Sequence, residues 1–105
     1  MKNYKITKCI LDDLFGDDME YMNDLAQLNV MNTKGLYNRL KSRRASLEVT
    51  AILGLVHEVN ARLPEGYTTD YAQVKRWLAK RYPEGGLKDT IEYLKDYQKE
   101  ELEAI

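Results

Sequence analysis

From residue 47 to residue 63 an apolar side chain returns every three or four positions, and this spacing constrains the fold more than any other feature of the 105-residue sequence. Val49, Ile52, Leu53, Val56, Val59 and Leu63 fall within about 120° of one another on a helical wheel, and Ala51 and Leu55 add a second apolar flank. A stripe this broad needs cover from several neighbours, so the segment reads as the central helix of a core. Ser46 can cap its start, and Pro64 and Gly66 end it.

Helical spacing recurs on both sides of this segment, whereas period-two alternation is confined to a short ambiguous piece at residues 4–10. Residues 3–15 repeat through Ile6, Ile10 and Leu14 and stop at Gly16. Asp17 or Asp18 can cap a helix over residues 18–29, and Val30, Met31 and Asn32 read as a turn. Asn32 or Thr33 can cap a helix that reaches residue 44, with Leu36, Tyr37 and Leu40 inward. Beyond the central helix, Thr68, Thr69 or Asp70 begins a helix carrying Tyr71, Val74, Trp77, Leu78 and Tyr82, closed by Pro83. A last helix over residues 87–102 repeats through Leu87, Ile91, Leu94 and Leu102. The expectation is a single all-α domain over residues 1–105: a compact bundle of five or six short helices around the 47–63 helix.

Composition narrows the function classes. A charged fraction of 31% beside a hydrophobic fraction of 44% belongs to a folded, well-solvated globule. The longest apolar stretch, residues 51–56, falls far short of the roughly 20 residues that cross a bilayer, and residues 1–15 lack a signal-peptide core. With Cys9 as the one cysteine, no internal disulfide and no thiolate cage for zinc can form, which points to a reducing, cytoplasmic setting. His57, the one histidine, sits at the edge of the central helix and reads as a packed or half-exposed side chain. Cys9 has no neighbouring base that would activate it. Asp12, Asp13, Asp17 and Asp18 surround Gly16 without the alternating spacing of a calcium loop, and read as helix caps and solvated charge. Gly85 and Gly86 lack the Lys and Ser or Thr of a phosphate-binding loop. A non-enzymatic binding protein without cofactor or metal is expected.

Charge points to where binding would occur. The net charge of −1 divides into −3 over residues 1–32, +6 over residues 33–82 and −4 over residues 83–105. Either the middle presents a positive face to an acidic partner, or the acidic ends fold over it and cancel it. The stretch 23–44, NDLAQLNVMNTKGLYNRLKSRR, resembles a helix-turn-helix of the bacterial repressor type. In that pattern Ala26 is the small contact of the first helix, Asn29 and Val30 fall in the turn with Met31 as its apolar residue, and Leu36 and Leu40 anchor the second helix. The resemblance implies duplex DNA as partner, with Lys34, Asn38 and Arg39 near the start of the recognition helix and Lys41, Arg43 and Arg44 placed for phosphates.

A second reading is a protein-binding module, an adaptor or inhibitor of a larger protein that makes no nucleic-acid contact. Eight tyrosines, Trp77 and four methionines supply much aromatic and adaptable apolar surface for so short a chain. Tyr67, Tyr71, Lys75, Arg76, Trp77 and Lys80 mix aromatic and basic groups as binding hot spots do, and a homodimer could form through the same surface.

Overall fold

The computed structural model describes residues 8–42, 44 and 46–103, and all regular structure among them is helical. The elements are α1 (Lys8–Phe15), α2 (Met19–Asn32), α3 (Lys34–Ser42), α4 (Leu47–Arg62), α5 (Tyr71–Arg81) and α6 (Lys88–Glu103). They form an all-α bundle in which α4 packs against α2, α3, α5 and α6. The first expected helix before Lys8, and the side chain of Cys9, lie outside the described residues.

Local chemistry sets most of the boundaries. The Ser46 hydroxyl accepts from Val49 N at 3.1 Å, and the carboxylates of Asp18 and Asp70 accept from Tyr21 N and Gln73 N, each at 2.9 Å. Each satisfies an amide that the first turn of α4, α2 or α5 would otherwise leave unpaired. Gly16 takes a φ of +54° at the end of α1, a conformation open to glycine at no steric cost.

The buried side of α4 differs from the one its apolar spacing suggests. Ala51, Leu55 and Val59 are wholly enclosed, and Ile52 and Val56 nearly so, while Val49, Leu53 and Leu63 stay half-buried. Thr50 and Gly54, which contribute nothing to a hydrophobic pattern, are buried as well. The cause is the closeness of α2. A β-carbon built on Gly54 would lie 2.7 Å from both the Ala26 carbonyl oxygen and Val30 Cγ2, so only glycine admits the neighbouring backbone.

Packing against α4 also lengthens α2. Residues 30–32, expected as a turn, are helical. Val30 is fully buried, and Asn29 is held on two sides, its Nδ2 donating to Glu58 Oε2 at 2.9 Å and its Oδ1 accepting from the Thr33 hydroxyl at 2.8 Å. One extended residue, Thr33 (φ −99°, ψ 107°), separates α2 from α3. The three- to four-residue turn of a helix-turn-helix is therefore replaced by a one-residue corner.

The start of α6 depends on α2. Leu87, immediately before it, holds a φ of +61° although its side chain is enclosed in the core. A left-handed leucine is strained, and the surrounding contacts must fix it. Asn23 of α2 provides one such contact: its Oδ1 accepts from Thr90 N at 3.0 Å, and the Thr90 hydroxyl lies 2.8 Å from the same oxygen. Asn23 Nδ2 donates to Met19 O at 2.8 Å, so this buried amide is satisfied at both ends.

Candidate nucleic-acid interface

On α3, Leu36 and Leu40 are buried and lock the helix to the core, while Tyr37 sets its ring edge-on to Tyr97 of α6 at 6.1 Å between centroids. The Gln98 amide of α6 donates to the Leu40 carbonyl at 2.6 Å and satisfies an acceptor that the last turn would leave open. With the inner face thus fixed, Lys34, Gly35, Asn38, Arg39, Lys41 and Ser42 are all exposed. Arg44 is exposed too, and its amide donates to Arg39 O at 3.1 Å, turning the chain back over the end of the helix.

Gly35, Asn38, Arg39, Lys41, Ser42 and Arg44 line an open concavity of about 560 Å³. Lys41 Nζ stands 5.8 Å from the centre of the Tyr37 ring, a cation–π distance. Among the described residues no carboxylate comes within ion-pair distance of Lys34, Arg39, Lys41 or Arg44.

Four of the acidic residues, Asp12, Asp17, Asp18 and Glu58, are engaged away from this face. Asp17 pairs with Arg81, whose Nε also lies 4.0 Å from Asp12 Oδ1, and Asp18 caps α2. Glu58 pairs with Arg62, whose Nε lies 3.3 Å from the Tyr21 hydroxyl. Burial tends to raise the Glu58 pKa, but the hydrogen bonds from Asn29 and Arg62 outweigh it and hold the carboxyl below its ordinary value. His57 is exposed on α4.

The residues expected at a nucleic-acid surface thus share one face, except Arg43, which lies outside the described residues. Gly35 and Ser42 join them and were not anticipated. One signal was available: no acidic residue stands between Asp24 and Glu48.

The aromatic and basic set of the 67–82 segment does not converge in the same way. Trp77, a candidate of the protein-binding reading whose spacing also suits a core, is 4% exposed; its indole donates to Asp12 Oδ1 at 3.0 Å, and it packs against Phe15 and Tyr82. It belongs to the core because α5 turns Val74, Trp77 and Leu78 inward together. Tyr71 is half-buried with Lys75 Nζ 5.8 Å from its ring centre, while Tyr67, Arg76 and Lys80 are exposed. Arg76 and Lys80 lie about 100° or more around the helix from Tyr71 and Lys75, and Tyr67 lies outside the helix in the connection before it.

Among the described residues no helix is long and apolar enough to cross a membrane. Comparison of the chain with protein-family models, curated proteins and solved structures finds no match, so its function is argued from its own geometry.

Proposed function

We propose that this chain is a non-enzymatic binding protein that holds duplex DNA against the outer face of α3, with Lys34, Arg39, Lys41 and Arg44 on the phosphates. One observation carries the reading: Arg39, Lys41 and Arg44 line a concavity, and they and Lys34 stand exposed with no acidic partner among the described residues, whereas Arg62 and Arg81 are neutralised. The phosphate backbone is the polyanion such a face suits, because each neutralised phosphate releases condensed counterions. The reading rests on the exposed charge of α3 and does not need a helix-turn-helix turn. The competing protein-binding reading loses its strongest anchor with Trp77 in the core.

Fluorescence anisotropy of a labelled duplex across a salt series tests the proposal. Four phosphate contacts predict a log–log slope of about −3 to −4, roughly a 100-fold loss of affinity between about 50 and 200 mM salt. The double variant Arg39→Glu, Lys41→Glu should abolish binding with helical content unchanged. Absence of duplex binding at low salt, or binding that survives the double reversal, would sink the reading.

A further inference from the structure

We infer that the outer face where α2 meets α6, centred on Leu28 and Tyr93, docks a cationic segment of a partner protein, with an apolar side chain seated between them and Lys or Arg on either side. This surface uses none of the α3 side chains assigned to DNA, so it goes beyond that reading and does not depend on it.

Leu28 and Tyr93 supply the apolar part. Among the described residues four large hydrophobic side chains are exposed, and these are two of them, at 54% and 45%. Neither belongs to the buried core or to the side chains packed on it. They stand together: with Asp24, Gln27 and the half-buried Met31 they line a concavity of about 280 Å³. Single apolar side chains on a surface are ordinary. A leucine, a methionine and a tyrosine gathered round one hollow leave apolar area that a partner's side chain can remove from water.

Charge decides the occupant. The α2 sequence contains no basic residue, and Asp24 lies one turn from Leu28 on the same side of the helix. On α6, Asp89, Asp96 and Glu100 are exposed within about 60° of Tyr93 around the helix, whereas Lys88, Lys95 and Lys99 lie about 120° to 160° away. These four carboxylates make no ion pair among the described residues, in contrast to Asp12, Asp17 and Glu58. An apolar hollow rimmed by unpaired carboxylates attracts lysines and arginines and repels phosphate, which sets it against duplex DNA and anionic lipid. A second copy docked through the same face would bring these acids against their own counterparts, which disfavours a homodimer about this patch. What fits is a protein segment with an apolar anchor between basic residues, as when an amphipathic helix is laid in a groove.

The test titrates the full chain into two labelled amphipathic peptides of identical leucine spacing, one with lysine at its polar positions and the other with glutamate, read by fluorescence anisotropy. The lysine peptide should bind more tightly than the glutamate peptide. Leu28→Ser should weaken it at least about fivefold with thermal unfolding little changed, because Leu28 is more than half exposed. The double variant Asp24→Asn, Asp96→Asn should weaken it about 3- to 10-fold at low salt and much less at high salt. Arg39→Gln, on the α3 face, should leave it within about twofold. If the lysine peptide binds no better than the glutamate peptide, or if its affinity is unchanged by Leu28→Ser or by the double aspartate variant, the inference is overturned. Sedimentation of the chain alone covers the remaining occupant: a dimer that Leu28→Ser dissociates would overturn it in favour of a second copy.

Discussion

Gly35 and Gly54 look alike in the sequence, each a lone glycine within a helical apolar repeat, yet replacement by alanine is expected to act in opposite directions. A methyl on Gly54 meets the Ala26 carbonyl and Val30 at 2.7 Å, so Gly54→Ala must push α2 and α4 apart. The cost should be about 1 to 3 kcal/mol of unfolding free energy in a denaturant titration. The same change at Gly35 meets open space and removes backbone freedom from the unfolded chain, which should add about 0.5 to 1 kcal/mol. Equal effects at the two positions would contradict the packing described. Spacing in the sequence places both glycines on helices, but the separation between α2 and α4 decides their roles, and no local pattern encodes it. Trp77 teaches the same lesson with a different outcome. Its spacing suits either core or interface; it is buried with Val74 and Leu78, and the hydrogen bond to Asp12, a residue 65 positions away, satisfies the indole N–H there.

Helix boundaries could be read from the sequence wherever a helix supplies its own cap, whereas the contacts that another helix makes to an end could not. Ser46, Asp70 and Gly16 mark their ends by short-range chemistry, and the expected limits of α4 and α5 hold to within a residue or so. The Thr90 amide in the first turn of α6, in contrast, is met by Asn23, and although the expected start at residue 87 holds to within a residue, nothing near Leu87 announces the contact. Asn23→Ala should therefore cost about 1 to 3 kcal/mol by leaving buried groups unpaired, and should speed hydrogen exchange at the Thr90 amide before the α4 amides are affected. The far end of α2 was missed for a related reason. Asn29 has the appearance of a turn residue but joins α2 to α4 through Glu58. That junction also predicts a pH effect. The Glu58 carboxyl titrates below its ordinary value of 4.5 in the folded chain, so the folded state binds its proton less readily than the unfolded state. Its contribution is fully present above about pH 4.5 and is lost as the pH falls from there through the lower value that the carboxyl has in the folded chain. Urea titrations from neutral pH down to about pH 3 should show a smaller acid-induced loss in Glu58→Gln than in the parent chain.

At the scale of the whole molecule, the bundle class and the uneven charge were both legible, but not which acids would meet which bases. Asp12 and Asp17 of the acidic N-terminal third neutralise Arg81, and among the described residues none of its acids pairs with the cations of α3. A molecule of net charge −1 binds a polyanion only if its cations act locally, since its overall field is weakly repulsive. This yields a test that total charge cannot confuse. Arg39→Gln and Arg76→Gln each remove one exposed positive charge, the first from α3 and the second from α5. If duplex DNA lies on α3, Arg39→Gln should reduce the steepness of the salt dependence by about 0.9, the share of one phosphate contact. Arg76→Gln should leave the slope unchanged and lower affinity only slightly, through the altered field. Equal changes in slope for the two variants would mean that the duplex contacts both helices or neither, and the assignment of α3 as the binding face would fail.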